Sequence, residues 1–183
     1  FHDLERLRKI GSGKIQFVFS GKAHPRDEGG KALIKSIFDS AKELEKDIPI
    51  AFIEDYSMAT GLAMTGGVDI WLNNPIRPME ASGTSGMKAA MNGVPNCSIL
   101  DGWWPEGCEH GVNGWAIGEA NDERNDVRDA KNVLDVIENE VLTAWRGGEE
   151  KWCDMMRASI ATSAGFTGAR MIRDYLPYYD SFE

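Results

Sequence analysis

Short apolar segments alternate with longer amphipathic ones along most of this 183-residue chain. Short runs of β-branched and aromatic residues between glycine, proline or polar residues are typical of strands. They predict five strands, at Lys14–Ser20, Pro49–Glu54, Val68–Asn73, Pro95–Leu100 and Gly114–Gly118. The intervening and following segments predict helices, within Leu33–Leu44, Met58–Met64, Met87–Met91, Asp126–Trp145, Glu149–Ser163 and Thr167–Tyr175.

Strands that alternate with helices indicate an α/β fold, here a doubly wound, Rossmann-like parallel sheet with helices on both faces. Several of the predicted strands are uniformly apolar, as expected when both faces of a sheet are covered. The length predicts a single domain over residues 1–183. Ligands of such sheets bind outside the carboxyl ends of the strands, so a site is expected in the loops that follow Ser20, Glu54, Asn73 and Leu100.

The composition excludes several classes of function. Acidic residues outnumber basic ones by 29 to 20, which argues against a nucleic-acid-binding protein and against a basic membrane-binding surface. Three cysteines with no C-x-x-C pair fit a reducing, cytoplasmic environment and no zinc site. His2 and His110 have no partners at metal-ligand spacing, so no metal is expected. No apolar stretch is long enough to span a membrane.

The loop after the third predicted strand, Arg77 to Lys88, has the most unusual composition. It contains two glycines and three hydroxyl residues where a helix is expected to begin. Free backbone N–H groups at a helix N-terminus can bind a phosphate or another anion. Ordinary N-capping by Ser82, Thr84 or Ser85 explains the same pattern equally well.

Two charged residues in this loop each have a functional and a plain interpretation. Lys88 is the only charged residue in Met87–Gly93. A poorly solvated lysine there would have a lowered pKa and could form an imine, whereas an ordinary lysine would extend its ammonium group to water. Glu80 could accept hydrogen bonds from sugar-like hydroxyl groups, or could be a solvated loop carboxylate.

The segment Glu80-Ala-Ser-Gly-Thr-Ser-Gly-Met-Lys88 resembles the signature of the α-glucan (glycogen, starch and maltodextrin) phosphorylases. Further blocks are similar to that family, in particular to its shorter bacterial and archaeal branch. They are Gly21–Pro25, Glu54–Tyr56, Asp69–Pro75, Asp101–Trp104 and Asn113–Gly118. The resemblance implies the C-terminal lobe of a two-lobed glycosyltransferase (GT-B) architecture.

The resemblance also implies an activity and a cofactor. The activity is phosphorolysis of an α-1,4-glucan by inorganic phosphate, with retention, to give α-glucose 1-phosphate. The family's lysine, here Lys88, forms a Schiff base with pyridoxal 5′-phosphate. The family positions that hold the cofactor phosphate correspond to Thr84, Ser85 and Gly86, and Tyr56 corresponds to a tyrosine near the cofactor.

The same resemblance assigns the substrate positions. Glu80, Ala81, Ser82 and Gly83 correspond to residues that bind the glucosyl unit, with Glu80 and Lys88 as the catalytic pair. Trp103 and Trp104 could stack on sugar rings, although packing at a domain interface explains two tryptophans equally well.

Two other functions remain open from the sequence. One is a sugar-nucleotide glycosyltransferase lobe, which would carry a glutamate where this chain has Lys88. The other is a non-catalytic module that binds phosphate or glucan.

In the phosphorylases the active site lies between two lobes, and the N-terminal lobe is not part of this sequence. The isolated chain is therefore expected to be inactive, and assembly into a homo-oligomer is compatible with the sequence.

Overall fold

The computed structural model describes residues 1–120 and 123–181. Its strands are β1 (Phe17–Ser20), β2 (Ile50–Ile53), β3 (Trp71–Asn73), β4 (Asn96–Ile99) and β5 (Gly114–Ile117). Its helices are α1 (Leu4–Gly11), α2 (Glu28–Leu44), α3 (Met58–Gly67), α4 (Thr84–Met91), α5 (Trp104–Gly107), α6 (Asp126–Val136), α7 (Leu142–Arg146), α8 (Glu149–Ser163) and α9 (Gly168–Asp180). A π-helical segment, Ile137–Val141, joins α6 to α7. Each predicted strand contains an observed one, so these five predictions are confirmed.

Several helix boundaries differ from the prediction; α2 begins at Glu28 rather than Leu33, and α3 ends at Gly67 rather than Met64. The helix predicted over Asp126–Trp145 is divided by the π-helical segment. Helix α4 begins at Thr84 rather than Met87, since Gly83 precedes it in a left-handed conformation (φ 83°) and ends the loop. Helix α9 continues to Asp180 with Pro177 inside it, although the sequence predicts its end at Tyr175.

The chain divides into two compact units, Phe1–Ala63 and Met64–Glu183. In the first unit, α2 connects β1 to β2, which pair in parallel with Phe17 opposite Ile50. Leu7 and Ile10 of α1 are buried, as is Leu44 at the end of α2. The Arg8 guanidinium donates to the carboxylate of Asp47 at 2.8 Å and fixes α1 to the turn after α2.

The second unit contains a three-stranded parallel sheet in the order β3-β4-β5. Because successive side chains of a strand point to opposite faces, the central strand β4 contributes to two layers. Cys97 and Ile99 pack with Val136, Trp152 and Met155 of the surrounding helices.

On the other face of β4, the Asn96 side chain donates to the carbonyl of Gly86 in α4 at 3.0 Å. Both faces of β4 are thus covered, which confirms the predicted α/β fold with parallel strands and helices on both faces. Within residues 1–120 and 123–181, no helix is both long and apolar enough to cross a membrane.

Two cysteines of this unit should be unreactive. Burial raises the pKa of Cys97, with smaller contributions from Glu140 and Cys108. Burial, and then Glu109, raise the pKa of Cys108 to about 12. The thiolate is the form that reacts with alkylating reagents. Because their pKa is raised, the thiols of the folded protein stay protonated at pH values above the ordinary thiol pKa of 9.0.

We therefore expect iodoacetamide at pH 9 to label Cys97 and Cys108 at least about tenfold more slowly in the folded protein than in denaturant. Mass spectrometry of tryptic peptides would measure both rates. Equal rates in the two states would contradict the expectation.

Candidate functional site

The Glu80–Lys88 segment lies at the carboxyl edge of the three-stranded sheet. Strands β3 and β4 are parallel neighbours, with Asn73 opposite Ser98, so the loops that follow them leave the sheet at the same edge. One loop leads from β3 to α4, and the other is the turn Asp101–Trp103 after β4, which we call the anchoring turn. This is the edge at which α/β sheets bind their ligands.

The N-terminus of α4 has no side-chain cap. Gly83 occupies the N-cap position, and it has no side chain that could accept a hydrogen bond from the first N–H groups of the helix. The alternative expectation, N-capping by Ser82, Thr84 or Ser85, is therefore wrong. The backbone N–H groups of Thr84 and Ser85 donate no hydrogen bond within the described residues, whereas those of Gly86 and Met87 donate to the Gly83 carbonyl. Two free donors thus remain at the positive end of the helix dipole.

Gly86 serves the packing of α4. It is buried, and a Cβ at this position would lie 2.5 Å from Asn96 Oδ1 and 3.0 Å from Trp103 Nε1. The absence of a side chain lets α4 approach β4 closely. Asn96 Oδ1 is itself buried without a hydrogen-bond partner among the described residues.

Lys88 lies in the last turn of α4, four residues after Thr84 and therefore on the same face of the helix. Its side chain is exposed. Of the two interpretations of Lys88, the poorly solvated lysine is thus wrong, and the ordinary lysine that extends its side chain to water is confirmed. Among the residues that the structure describes, no carboxylate forms an ion pair with Lys88.

Glu80 is half-buried and is held by its backbone. Its N–H donates to Asp101 Oδ2 at 3.0 Å. Its Cγ lies close to two glycines: a Cβ added to Gly102 would be 2.9 Å from this atom, and a Cβ added to Gly83 would be 3.7 Å from it. The Glu80 carboxylate has no partner in the described part of the chain, so it is free to accept hydrogen bonds from a ligand.

The residues after Glu80 present both backbone and side-chain groups. Ala81 is exposed and Ser82 is half-buried. The Ser82 carbonyl accepts a hydrogen bond from the Trp103 N–H at 2.8 Å. The Ser82 hydroxyl forms no hydrogen bond with any residue of the described ranges.

The tryptophans of the second loop belong to the core. Trp103 and Trp104 are buried together with Ala90, and the Trp103 ring meets the Phe166 ring edge-on at a centroid distance of 4.9 Å. The Trp104 indole N–H donates to the Trp115 carbonyl at 3.0 Å. Of the two explanations that the sequence left open, stacking on sugar rings is wrong, since Trp103 is only 6% and Trp104 only 1% exposed.

Sequence reasoning missed Arg77, which anchors the loop before Glu80. Its side chain is almost fully buried, with 2% of it exposed. The guanidinium donates to the carboxylate of Asp129 in the first turn of α6 and to the carbonyl of Glu119. Its Nε is buried and has no partner among the described residues. No sequence pattern signals contacts between residues 42 and 52 positions apart.

Tyr56 belongs to the first unit and follows β2. It is exposed, and its hydroxyl lies against Gly61, where a Cβ would be 2.5 Å from the oxygen. The preceding residue, Asp55, has a positive φ of 60° and pairs with Lys22 at 3.1 Å. Tyr56 therefore lies in the loop at the carboxyl end of its own strand, as the sequence predicts.

The described residues hold no cluster of three or more His, Cys, Asp or Glu side chains that could bind a metal ion. The chemistry available at the α4 edge is therefore that of two free backbone donors, hydroxyl groups, one carboxylate and one amine. Such a set can hold an anion at the helix N-terminus and hydroxyl groups of a neutral ligand beside it.

Residues 1–110 match the family described as carbohydrate phosphorylase. The maltodextrin phosphorylase of Thermococcus litoralis is 44% identical over 187 residues, and the glycogen phosphorylase of Aquifex aeolicus is 47% identical over 187 residues. These alignments cover 98% and 96% of this chain but only 22% and 27% of those proteins. The chain therefore spans about a quarter of the length of these relatives.

A solved structure shows the same fold. Anabaena Alr3699/HepE, in complex with UDP-glucose, superposes with a TM-score of 0.66 at 15% identity. The match covers 98% of this chain and 44% of that chain. The match confirms the predicted GT-B fold class.

Proposed function

The chain belongs to the carbohydrate phosphorylase family, and from this premise we propose that it is the C-terminal, cofactor-binding lobe of an α-glucan phosphorylase. The complete enzyme cleaves an α-1,4-glucan with inorganic phosphate and releases α-glucose 1-phosphate with retention. One observation carries the proposal: the groups without partners between Glu80 and Lys88 lie in the loop after β3 and along the helix α4 that it enters, at the carboxyl edge of the sheet.

The proposed cofactor is pyridoxal 5′-phosphate, and the residues of α4 fit it. The free N–H groups of Thr84 and Ser85, with their hydroxyl groups, suit the cofactor phosphate at the positive end of the helix. The exposed amine of Lys88, one helical turn further on, is available for covalent attachment to the cofactor aldehyde. Gly86 supports this arrangement through its close packing, and Tyr56 is included on the family resemblance alone.

The cofactor supplies a phosphate group that assists proton transfer to and from the substrate phosphate. The chain's own residues would bind and orient. The free Glu80 carboxylate and the free Ser82 hydroxyl suit the hydroxyl groups around a glucosyl ring, together with the backbone of Ala81 and Gly83. Positioned donors and positive charge near the reacting phosphate would stabilise the oxocarbenium-like transition state.

We further propose that residues 1–183 act as one lobe in the cytoplasm and that the isolated chain is inactive. The support is that the relatives are about four times longer than the matched segment. Sugar and phosphate contacts that another lobe would contribute are therefore outside this sequence. Release of glucose 1-phosphate from maltodextrin by the isolated chain, at rates typical of enzymes, would contradict this part of the proposal.

The test is chemical labelling of the full-length protein. It is incubated with pyridoxal phosphate, reduced with borohydride and digested, and the adduct is mapped by mass spectrometry. We expect a stable adduct on Lys88 and little on Lys151 or Lys131, which are also exposed and serve as internal controls. Equal labelling of the three lysines would contradict the proposal. Tight binding of UDP-glucose or ADP-glucose, without an adduct, would favour a sugar-nucleotide glycosyltransferase.

A further inference from the structure

We infer that Asp101 and Gly102 are positioning residues for the glucosyl-binding segment Glu80–Gly83. This inference rests on the proposed function, in which that segment binds the glucosyl unit. Neither residue needs to touch the sugar. They act through the backbone of the segment and through the side chain of Glu80.

Asp101 holds the start of the segment with one carboxylate oxygen and the backbone of its own turn with the other. Oδ2 accepts the Glu80 N–H at 3.0 Å, and Oδ1 accepts the Gly102 N–H at 2.9 Å. A carboxylate that accepts two backbone N–H groups is a strong and directional anchor. It ties the backbone of Glu80 to the end of β4, the most deeply buried strand of the sheet.

Gly102 keeps the space beside Glu80 open. It has a positive φ of 60°, and a Cβ there would lie 2.6 Å from the Ser82 carbonyl oxygen and 2.9 Å from Glu80 Cγ. Any larger residue would displace the segment or the Glu80 side chain. The glycine is thus required by the close approach of two backbones as well as by its own conformation.

Trp103, whose ring is buried in the core, forms a second contact between the anchoring turn and the segment. Its N–H donates to the Ser82 carbonyl at 2.8 Å, opposite in direction to the bond between Glu80 and Asp101. Its ring lies against Gly83, where a Cβ would be 3.1 Å from Cδ1. Two hydrogen bonds in opposite directions therefore clamp the segment to the turn, while the Glu80 carboxylate remains without a partner among the described residues.

The test uses the full-length protein and the synthesis reaction, with α-glucose 1-phosphate as substrate. We expect Asp101→Ala to lower kcat/KM about 10- to 100-fold, as the loss of charge-assisted hydrogen bonds predicts. Asp101→Asn keeps one acceptor and should fall between Asp101→Ala and the wild type. Gly102→Ala should lower kcat/KM at least as much as Asp101→Ala. The matched control is Asp154→Ala, which removes an exposed aspartate paired with Arg157 and should leave kcat/KM within about twofold.

Two readouts separate positioning from general damage to the fold. Hydrogen exchange at the Glu80 amide, which donates to Asp101, should become faster in Asp101→Ala, while the yield of the borohydride adduct on Lys88 stays at the wild-type level. In a Glu80→Gln background, Asp101→Ala should add no more than about a twofold loss, because the two residues act as a unit.

The outcomes are distinct. Wild-type kcat/KM in Asp101→Ala and Asp101→Asn, or full additivity with Glu80→Gln, would overturn the inference. If Asp101→Ala fails to fold, Asp101→Asn decides by the same criteria. A wild-type protein that makes no adduct and uses no glucose 1-phosphate would overturn the proposed function, and the inference with it, before any variant is compared.

Discussion

Replacing Lys88 by arginine should lower phosphorolysis by the full-length protein at least about a thousandfold, in the range seen when an essential catalytic group is removed. Arginine keeps the positive charge and much of the length of the side chain. Its guanidinium does not lose its proton in proteins and cannot replace the amine in covalent attachment. Because Lys88 is exposed and forms no ion pair with the described residues, the fold should tolerate the change.

The measurement combines rate and adduct. Lys88→Arg should give neither glucose 1-phosphate nor a borohydride-stable adduct at position 88, and its thermal unfolding should match that of the wild type. Lys131→Arg is the matched control, since Lys131 is also an exposed helical lysine and pairs with Asp135. It should keep activity and adduct. A Lys88→Arg enzyme with more than about a tenth of the wild-type rate would remove Lys88 from the proposed mechanism.

Arg77→Met should cost about 3–5 kcal/mol of the free energy of unfolding, the range for removing one partner of a buried ion pair. Methionine fills similar space but leaves the buried Asp129 carboxylate with only the Arg128 guanidinium, whose Nε lies 3.9 Å away, and leaves the Glu119 carbonyl without the Arg77 donor. The loop that precedes Glu80 would also lose its link to α6. Urea denaturation of wild type and variant measures the difference.

Two further variants make the Arg77 prediction specific. Arg157→Met breaks an exposed pair within α8 and should change stability by less than about 1 kcal/mol. Arg77→Met combined with Asp129→Leu removes both charges and should recover part of the loss. A single Arg77→Met variant as stable as Arg157→Met would show that the buried pair contributes little.

Local patterns in the sequence were sufficient to predict the strands and the place of the candidate loop after β3. Uniformly apolar runs such as Pro95–Leu100 identify strands that are covered on both faces, and the composition of Glu80–Lys88 identifies an unusual helix entry. The family, too, could be recognised from motifs, and the comparisons confirm it. The assignment of individual site residues stays a prediction.

What the sequence could not provide depends on contacts between distant residues. Asp101 and Glu80 are 21 positions apart, and Arg77 and Asp129 are 52 apart. Neither pair can be recognised from a local sequence pattern, so the contacts that hold the loop could not be predicted. Burial is not evident from the sequence either: stacking on a sugar and packing at a domain interface explain Trp103 equally well there, whereas its ring packs with Ala90 and Trp104 in the core.

Two hydrogen bonds join the Glu80–Gly83 segment to the anchoring turn, and the segment contributes only main-chain groups to them: the Glu80 N–H and the Ser82 carbonyl. Side chains on the outer surface of the loop, such as Met79 and Ala81, are exposed and take no part in them. The backbone conformation of this loop should therefore not depend on which side chains stand at Met79 and Ala81. A library randomised at Met79 and Ala81 should therefore yield mostly folded proteins.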